Sequence, residues 1–141
     1  MTDDCIFCRI VAGDSPANVV HEDETTMAFL DANPLAAGHT LVVPKAHHER
    51  LQDLPAGLAR DVFETVHAVV PAVEAAVDAD ATNVGVNNGR AAGQVVSHVH
   101  GHVIPRFEDD GGEPVHAVSP GQARVSDAEL AAVAEDVSDA L

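Results

Sequence analysis

The chain has 141 residues, 46% of them hydrophobic, and its 23 Asp and Glu against 7 Lys and Arg give a formal net charge of −16. That length suits one domain with its own core, and recurring apolar runs such as Thr40–Val43 and Val69–Val77 exclude a disordered chain. The acidity excludes a basic surface for nucleic acid or anionic membrane, no stretch nears the roughly 20 apolar residues of a membrane span, and no secretory signal opens the chain, so a cytoplasmic protein is expected.

Cys5–Val11 reads as a short apolar turn or helix, closed by Gly13-Asp14-Ser15-Pro16. Asn18–His21 and Thr25–Leu30 are apolar runs separated by Glu22-Asp23-Glu24, a hairpin pattern. After a loop marked by Asn33-Pro34 and Gly38, His39–Val43 reads as a buried strand that Pro44 ends. Pro55 opens a helix, with Leu58, Val62, Val66, Val69, Val70, Val73 and Val77 at helical spacing and a kink expected at Pro71. Thr82–Val86 and Val95–Ile104 read as strands around the loop Asn88–Gly93. Ser126 is an N-cap for a peripheral helix to Leu141. Several strands around one long helix make an α+β fold, and no linker or repeat divides residues 1–141.

Ser97–Pro105 carries the chemistry. On a strand, His98, His100 and His102 share one face about 6.5 Å apart, while Val99, Gly101 and Val103 face the other way. Gly101 leaves room for something to approach closely there. Three readings compete: a solvated histidine-rich face, a metal site, or an imidazole nucleophile whose neighbours donate to a phosphate. Spacing alone does not separate the last two. Cys5 and Cys8 are the only cysteines. Without a secretory signal a structural disulfide is not expected, a redox pair lacks its βαβ context, and a zinc site needs two further ligands.

Taken in order, Cys5-Ile6-Phe7-Cys8, Ala28-Phe29-Leu30-Asp31, Gly38-His39-Thr40-Leu41-Val42-Val43-Pro44-Lys45, Asn87-Asn88-Gly89, Gly93-Gln94 and His98-x-His100-x-His102 resemble the histidine triad (HIT) family of nucleotide hydrolases and transferases. The resemblance covers residues 5–107 and leaves 108–141 as a C-terminal extension. It implies a HIT-like fold with a five-stranded antiparallel sheet, one long helix and short terminal helices, a homodimer, and a purine nucleotide at the triad. Carried over, His100 becomes the nucleophile, the carbonyl of His98 holds its ring, His102 holds a phosphate oxygen and His39 supports the network. Asp31 grips the ribose hydroxyls, Asn87 and Gln94 lie near the phosphate, and Phe7, Ile10 and Phe29 wall the base pocket; ordinary core is the competing reading for those three. Many relatives carry Ser or Thr where Val95 stands, so one side-chain donor is lost here. Zinc-bearing relatives add two histidines to the CxxC, which implies Cys5, Cys8, His47 and His98 as a structural zinc site, with His48 a register-shifted rival to His47. His21, His67 and His116 read as exposed or core histidines.

The implied function is hydrolysis of nucleoside 5′-monophosphate derivatives of the adenosine 5′-phosphoramidate type through a nucleotidyl-histidine. The alternatives are a dinucleoside polyphosphate hydrolase and a zinc-containing nucleotide-binding regulatory module with little turnover. The acidity gains a second reading from its makeup: 14 Asp against 9 Glu, and a single lysine, Lys45. This suggests a halophilic source, since at molar salt a Debye length of about 3 Å removes self-repulsion. For an anionic substrate, local groups such as Arg90 and Arg106 then have to offset a repulsive field, and affinity is expected to improve as salt rises.

Overall fold

A computed structural model describes residues 4–141. The first helix, α1 (Ile6–Ala12), starts at Cys5, whose Sγ accepts the Cys8 N–H at 3.3 Å. It ends at Gly13, at φ 83. Strands β1 (Val19–Glu22) and β2 (Thr26–Leu30) form the expected hairpin, turned by Asp23, whose Oδ1 accepts the N–H groups of Thr25 and Thr26. Strand β3 (Thr40–Pro44) follows, then the 22-residue helix α2 (Ala56–Val77), β4 (Ala81–Val86), β5 (Gly101–Arg106) and α3 (Asp127–Ala140). All pairings are antiparallel, in the order β1-β2-β3-β5-β4. This is the α+β architecture expected, with five strands and one long helix.

Alternation along the strands sorts the core into two layers. Ala28, Val42, Val99 and Val103 face α2 and pack on Leu54, Val62, Val66, Val69 and Val73. Phe29, Leu41 and Val43 face the other way, against Cys5 and Phe7 of the α1 segment. The functional histidines therefore lie on the α1 face. Among the described residues, no helix is long and apolar enough to cross a membrane.

One local expectation needs correction and two others gain detail. The last strand begins at Gly101, not Val95, because residues 95–100 bend across the end of β3 without a strand partner there. Helix α2 runs unbroken through Pro71, whose ring lies on the exposed side where a missing N–H leaves no buried carbonyl stranded. What approaches Gly101 is α2 itself: an added Cβ would meet Val66 Cγ2 at 3.5 Å, an ordinary contact. Gly38 is the more constrained glycine. It sits at φ +98 just before His39, and an added Cβ would meet Val77 Cγ1 at 2.9 Å. Left-handed backbone and a close helix end together require its missing side chain. The C-terminal extension is exposed from Glu108 to Leu141, and α3 is capped by the Ser126 hydroxyl accepting the Glu129 N–H at 3.1 Å.

Candidate active site and metal centre

The three triad imidazoles do not form a uniform row, because the chain bends before β5. His100 Nδ1 lies 2.8 Å from the His98 carbonyl oxygen. A carbonyl only accepts, so Nδ1 carries the proton and donates. In a neutral ring this leaves the Nε2 lone pair free. Burial holds the His100 pKa below its ordinary value, against the opposing pull of that hydrogen bond and of the Asp31 charge. The ring is thus neutral at pH 7. Phe7 packs edge-on against it at 5.0 Å between centroids and edge-on against Phe29 at 5.4 Å.

His102 pairs with Leu41 of β3 and Gly85 of β4, so its ring stands on the same face. Its Nδ1 lies 2.9 Å from His39 Nε2. Its Nε2 is buried and has no protein partner, the single such side-chain atom among the described residues. A buried nitrogen without a partner is costly unless a ligand supplies one. Asp31 closes the row, with one carboxylate oxygen 3.6 Å from His39 Nε2 and the other accepting the Asn33 N–H at 2.9 Å. Burial lowers the His39 pKa, although Asp31 pulls it up.

These buried rings set a pH dependence. Burial, reinforced by neighbouring imidazoles, brings His98 and His102 from the ordinary 6.5 down to about 4. A depressed pKa means that the unfolded chain binds protons the native state refuses, so the stabilisation is complete above pH 6.5 and lost as pH falls toward 4. Melting temperature at constant ionic strength is expected to drop by at least about 5 °C across that window. A flat profile there would contradict neutral, buried imidazoles.

The second cluster gathers Cys5, Cys8, His47 and His98, with one donor atom from each all within 4.8 Å of one another. Cys5 Sγ lies 3.4 Å and Cys8 Sγ 3.5 Å from His98 Nδ1, and Cys8 Sγ lies 3.3 Å from His47 Nδ1. Tetrahedral zinc with two sulfur and two nitrogen ligands separates sulfur from nitrogen by about 3.5 Å, so the donor set fits that ion. His98 Nε2 donates to the Pro44 carbonyl at 2.8 Å, which turns the Nδ1 lone pair toward the sulfurs. Burial, and then Cys5 beside it, pushes the Cys8 thiol up to about 11. His48 is outside the cluster; its backbone carbonyl accepts the Val99 N–H at 2.8 Å.

Other expected residues divide. Phe7 and Phe29 are buried and Ile10 packs on their core cluster, from which Phe7 flanks the His98 and His100 rings. The Gln94 side chain is spent on the protein: Oε1 accepts the Gly89 N–H at 2.8 Å, and Nε2 donates to the Glu49 and Val96 carbonyls at 2.7 and 2.9 Å. It builds the loop before the triad. Its amide is not free for a phosphate. Arg106 is likewise engaged, forking onto Asp110 at 2.8 and 2.9 Å and reaching Asn83 and the Glu113 carbonyl. This corrects its expected place among groups facing the substrate. Val95 is 91% exposed and lines a surface depression with Cys5, His47 and Ser97. Asn87 lines a different cavity, of about 380 Å³, together with His39 and His102. Leu35, Val84, Ile104 and Val115 complete much of its apolar wall. Sequence reading missed this wall, because nothing local signals that the segment after Glu113 returns beside His102.

Comparison with known proteins agrees with this geometry. The HIT domain matches residues 12–109. An uncharacterised HIT-like protein of Methanocaldococcus jannaschii is 50% identical over 107 residues, 76% of this chain and 82% of that protein. The adenosine 5′-monophosphoramidase of Schizosaccharomyces pombe is 36% identical over 138 residues, covering 95% of this chain and 96% of its own. An adenylylsulfatase of Arabidopsis thaliana is 41% identical over 110 residues, 78% of this chain but 56% of that longer protein. Among solved structures, a Streptococcus mutans protein superposes with a TM-score of 0.88 at 37% identity, covering 97% of this chain and 85% of that one. A zinc-bound histidine triad family protein of Mycobacterium smegmatis gives 0.75 at 32% identity, with both chains fully covered. None of these supports a halophilic source, so the acidity stands as a fact of composition. The ordered motifs, the five-stranded sheet and the paired histidine clusters have one common explanation: this chain belongs to the HIT family.

Proposed function

We propose that this protein hydrolyses nucleoside 5′-monophosphate derivatives of the phosphoramidate type through a covalent intermediate on His100. One observation carries the reading: His100 is held with Nδ1 on a carbonyl and Nε2 free, beside the unpartnered Nε2 of His102. In the first step the His100 Nε2 lone pair attacks phosphorus, and the bond from phosphorus to the leaving amine breaks. The amine departs with a proton taken up from solvent, and the second step returns one to solvent. Water then attacks phosphorus, the bond to His100 breaks, and the nucleoside monophosphate leaves. His102 donates to a non-bridging oxygen, where negative charge is concentrated. Asp31 accepts from the ribose hydroxyls, and Asn87 stands near the leaving group. Phe7, Ile10 and Phe29 face the purine.

Cys5, Cys8, His47 and His98 would hold zinc as a structural ion, tying the N-terminal segment to the triad. His98 then serves both centres, since its ring is a ligand while its carbonyl orients His100. Similarity to a phosphoramidase over nearly the whole of both chains supports the substrate class. So does the cavity beside His102: Glu113 lines it, and no lysine or arginine does among the described residues. The nearest arginine, Arg106, is committed to Asp110, Asn83 and the Glu113 carbonyl rather than to that cavity. The unpaired outer edge of β4, with Val84 41% exposed, supports a homodimer joined along that strand. Residues 1–141 are taken as one HIT domain with a peripheral extension from 108.

Competing substrates test the choice. With adenosine 5′-phosphoramidate and a dinucleoside polyphosphate assayed side by side, kcat/KM is expected to favour the amide by at least about tenfold, a gap of about 1.4 kcal/mol. The opposite preference would overturn the phosphoramidate reading, and release of nucleotide from neither would overturn the enzyme.

A further inference from the structure

The unpartnered His102 nitrogen raises a question of protons. A neutral imidazole donates from one nitrogen and accepts at the other. If His102 carried its proton on Nδ1, its buried Nε2 would present a lone pair to an anionic oxygen, and the two would repel. Something has to fix the tautomer, and Asp31 does not, because it reaches His39 only at 3.6 Å.

The bonds around His39 decide it. The Leu35 backbone N–H points at His39 Nδ1, 3.1 Å away. A backbone amide only donates, so Nδ1 accepts and bears no proton. His39 then holds its proton on Nε2, which lies 2.9 Å from His102 Nδ1. With one proton already in that gap, His102 Nδ1 accepts. Its own proton belongs on Nε2. We propose that the Leu35 amide is a positioning group: through His39 it holds His102 as the Nε2–H tautomer, so that a donor faces the substrate. No carboxylate is needed, and the doubly protonated form of His102 is excluded while the chain of bonds stands.

The device is a backbone device, which explains why side-chain motifs do not announce it. The Leu35 side chain is 76% exposed. Its side chain takes no part in the bonds that set the tautomer, whereas its N–H does. Loop geometry holds that amide in place: the Asp31 carboxylate accepts from Asn33, and the His39 N–H donates to the Ala36 carbonyl at 3.0 Å. The inference deepens the proposed role of His102, but its test reads the proton directly and does not depend on turnover.

Two-bond nitrogen–proton correlation spectra of the ¹⁵N-histidine-labelled, zinc-loaded protein distinguish the two tautomers of each ring. His39 and His102 are both expected as Nε2–H. A wild-type His102 protonated on Nδ1 would overturn the proposal. Leu35→Pro removes the amide proton and should populate the Nδ1–H form of His102; Leu35→Ala should leave the spectrum of that ring unchanged. An unmixed Nε2–H form in a folded Leu35→Pro protein would show that the amide does not set the tautomer. If Leu35→Pro fails to fold, the α-hydroxy analogue of leucine, introduced at position 35 by semisynthesis, replaces only the N–H by oxygen and reads the same outcomes. Where hydrolysis is observed, loss of the amide proton should lower kcat by about 10- to 100-fold, short of the loss expected for deleting an oxyanion donor outright.

Discussion

His100→Ala is expected to lower kcat/KM for adenosine 5′-phosphoramidate by at least about 10³-fold, because it removes the nucleophile rather than a contact that adjusts it. The ring is buried, held by the His98 carbonyl at 2.8 Å and packed against Phe7. Its loss leaves a small cavity, which costs stability as well as activity. The two effects separate cleanly. Melting temperature and zinc content report the fold, and nucleotide binding measured by calorimetry reports the site without chemistry. The variant should retain zinc and bind the nucleoside monophosphate while releasing almost no product. Activity within about tenfold of wild type would show that another group attacks phosphorus.

Removal of zinc from the proposed Cys5, Cys8, His47 and His98 site should produce the second large effect, this time on stability. With zinc absent, Cys5, Cys8, His47 and His98 keep their donor atoms within 4.8 Å with no cation among them. Two thiols and two imidazoles are then packed together for no return. Structural zinc can contribute far more than a typical side chain, although here two apolar layers remain to hold the sheet. A loss of about 3 kcal/mol, or roughly 10 °C in melting temperature, is expected for Cys8→Ser or for chelated protein. Activity should fall with it, because the His98 ring belongs to the proposed zinc site while its carbonyl holds His100. Near-stoichiometric zinc in protein purified without added metal, lost in Cys8→Ser, is the measurement that checks this. Metal-free wild-type protein with unchanged stability would contradict it.

The legible parts of this molecule were those in which a local pattern has a single physical meaning. Short apolar runs at Thr25–Leu30 and His39–Val43, and helical spacing from Leu58 to Val77, foretold the elements that pack into the two layers. The CxxC with His47 and His98 came from family resemblance, and the structure gathers those four donors. Other features depended on the fold and had no local signature. The bend over residues 95–100 leaves the His98 ring with Cys5, Cys8 and His47 while His102 stays on the strand. Gln94 and Arg106 looked free for a ligand because composition reveals a polar group but not whether protein groups have already claimed it. The Leu35 amide is invisible to any reading of side chains. Its role emerges only once each donor around His39 carries its proton.

The acidity that first excluded basic-patch partners also sharpens the account of catalysis. A formal charge of −16 opposes an anionic substrate at long range. With Arg106 engaged by Asp110, one of the two arginines expected to offset that field is committed elsewhere, and the proposed His102 N–H gains weight as a short-range donor. The site is built from neutral imidazoles whose protons are placed by carbonyl and amide groups.

The most direct test is to find the covalent intermediate itself. A millisecond single turnover of adenosine 5′-phosphoramidate, quenched in alkali to preserve a phosphorus–nitrogen bond, can be digested and mapped by mass spectrometry. The account predicts an adenylyl group on the peptide containing His100, attached at Nε2 and absent from His100→Ala. An adduct on any other residue, or a burst of released amine with no adduct on the protein, would contradict it.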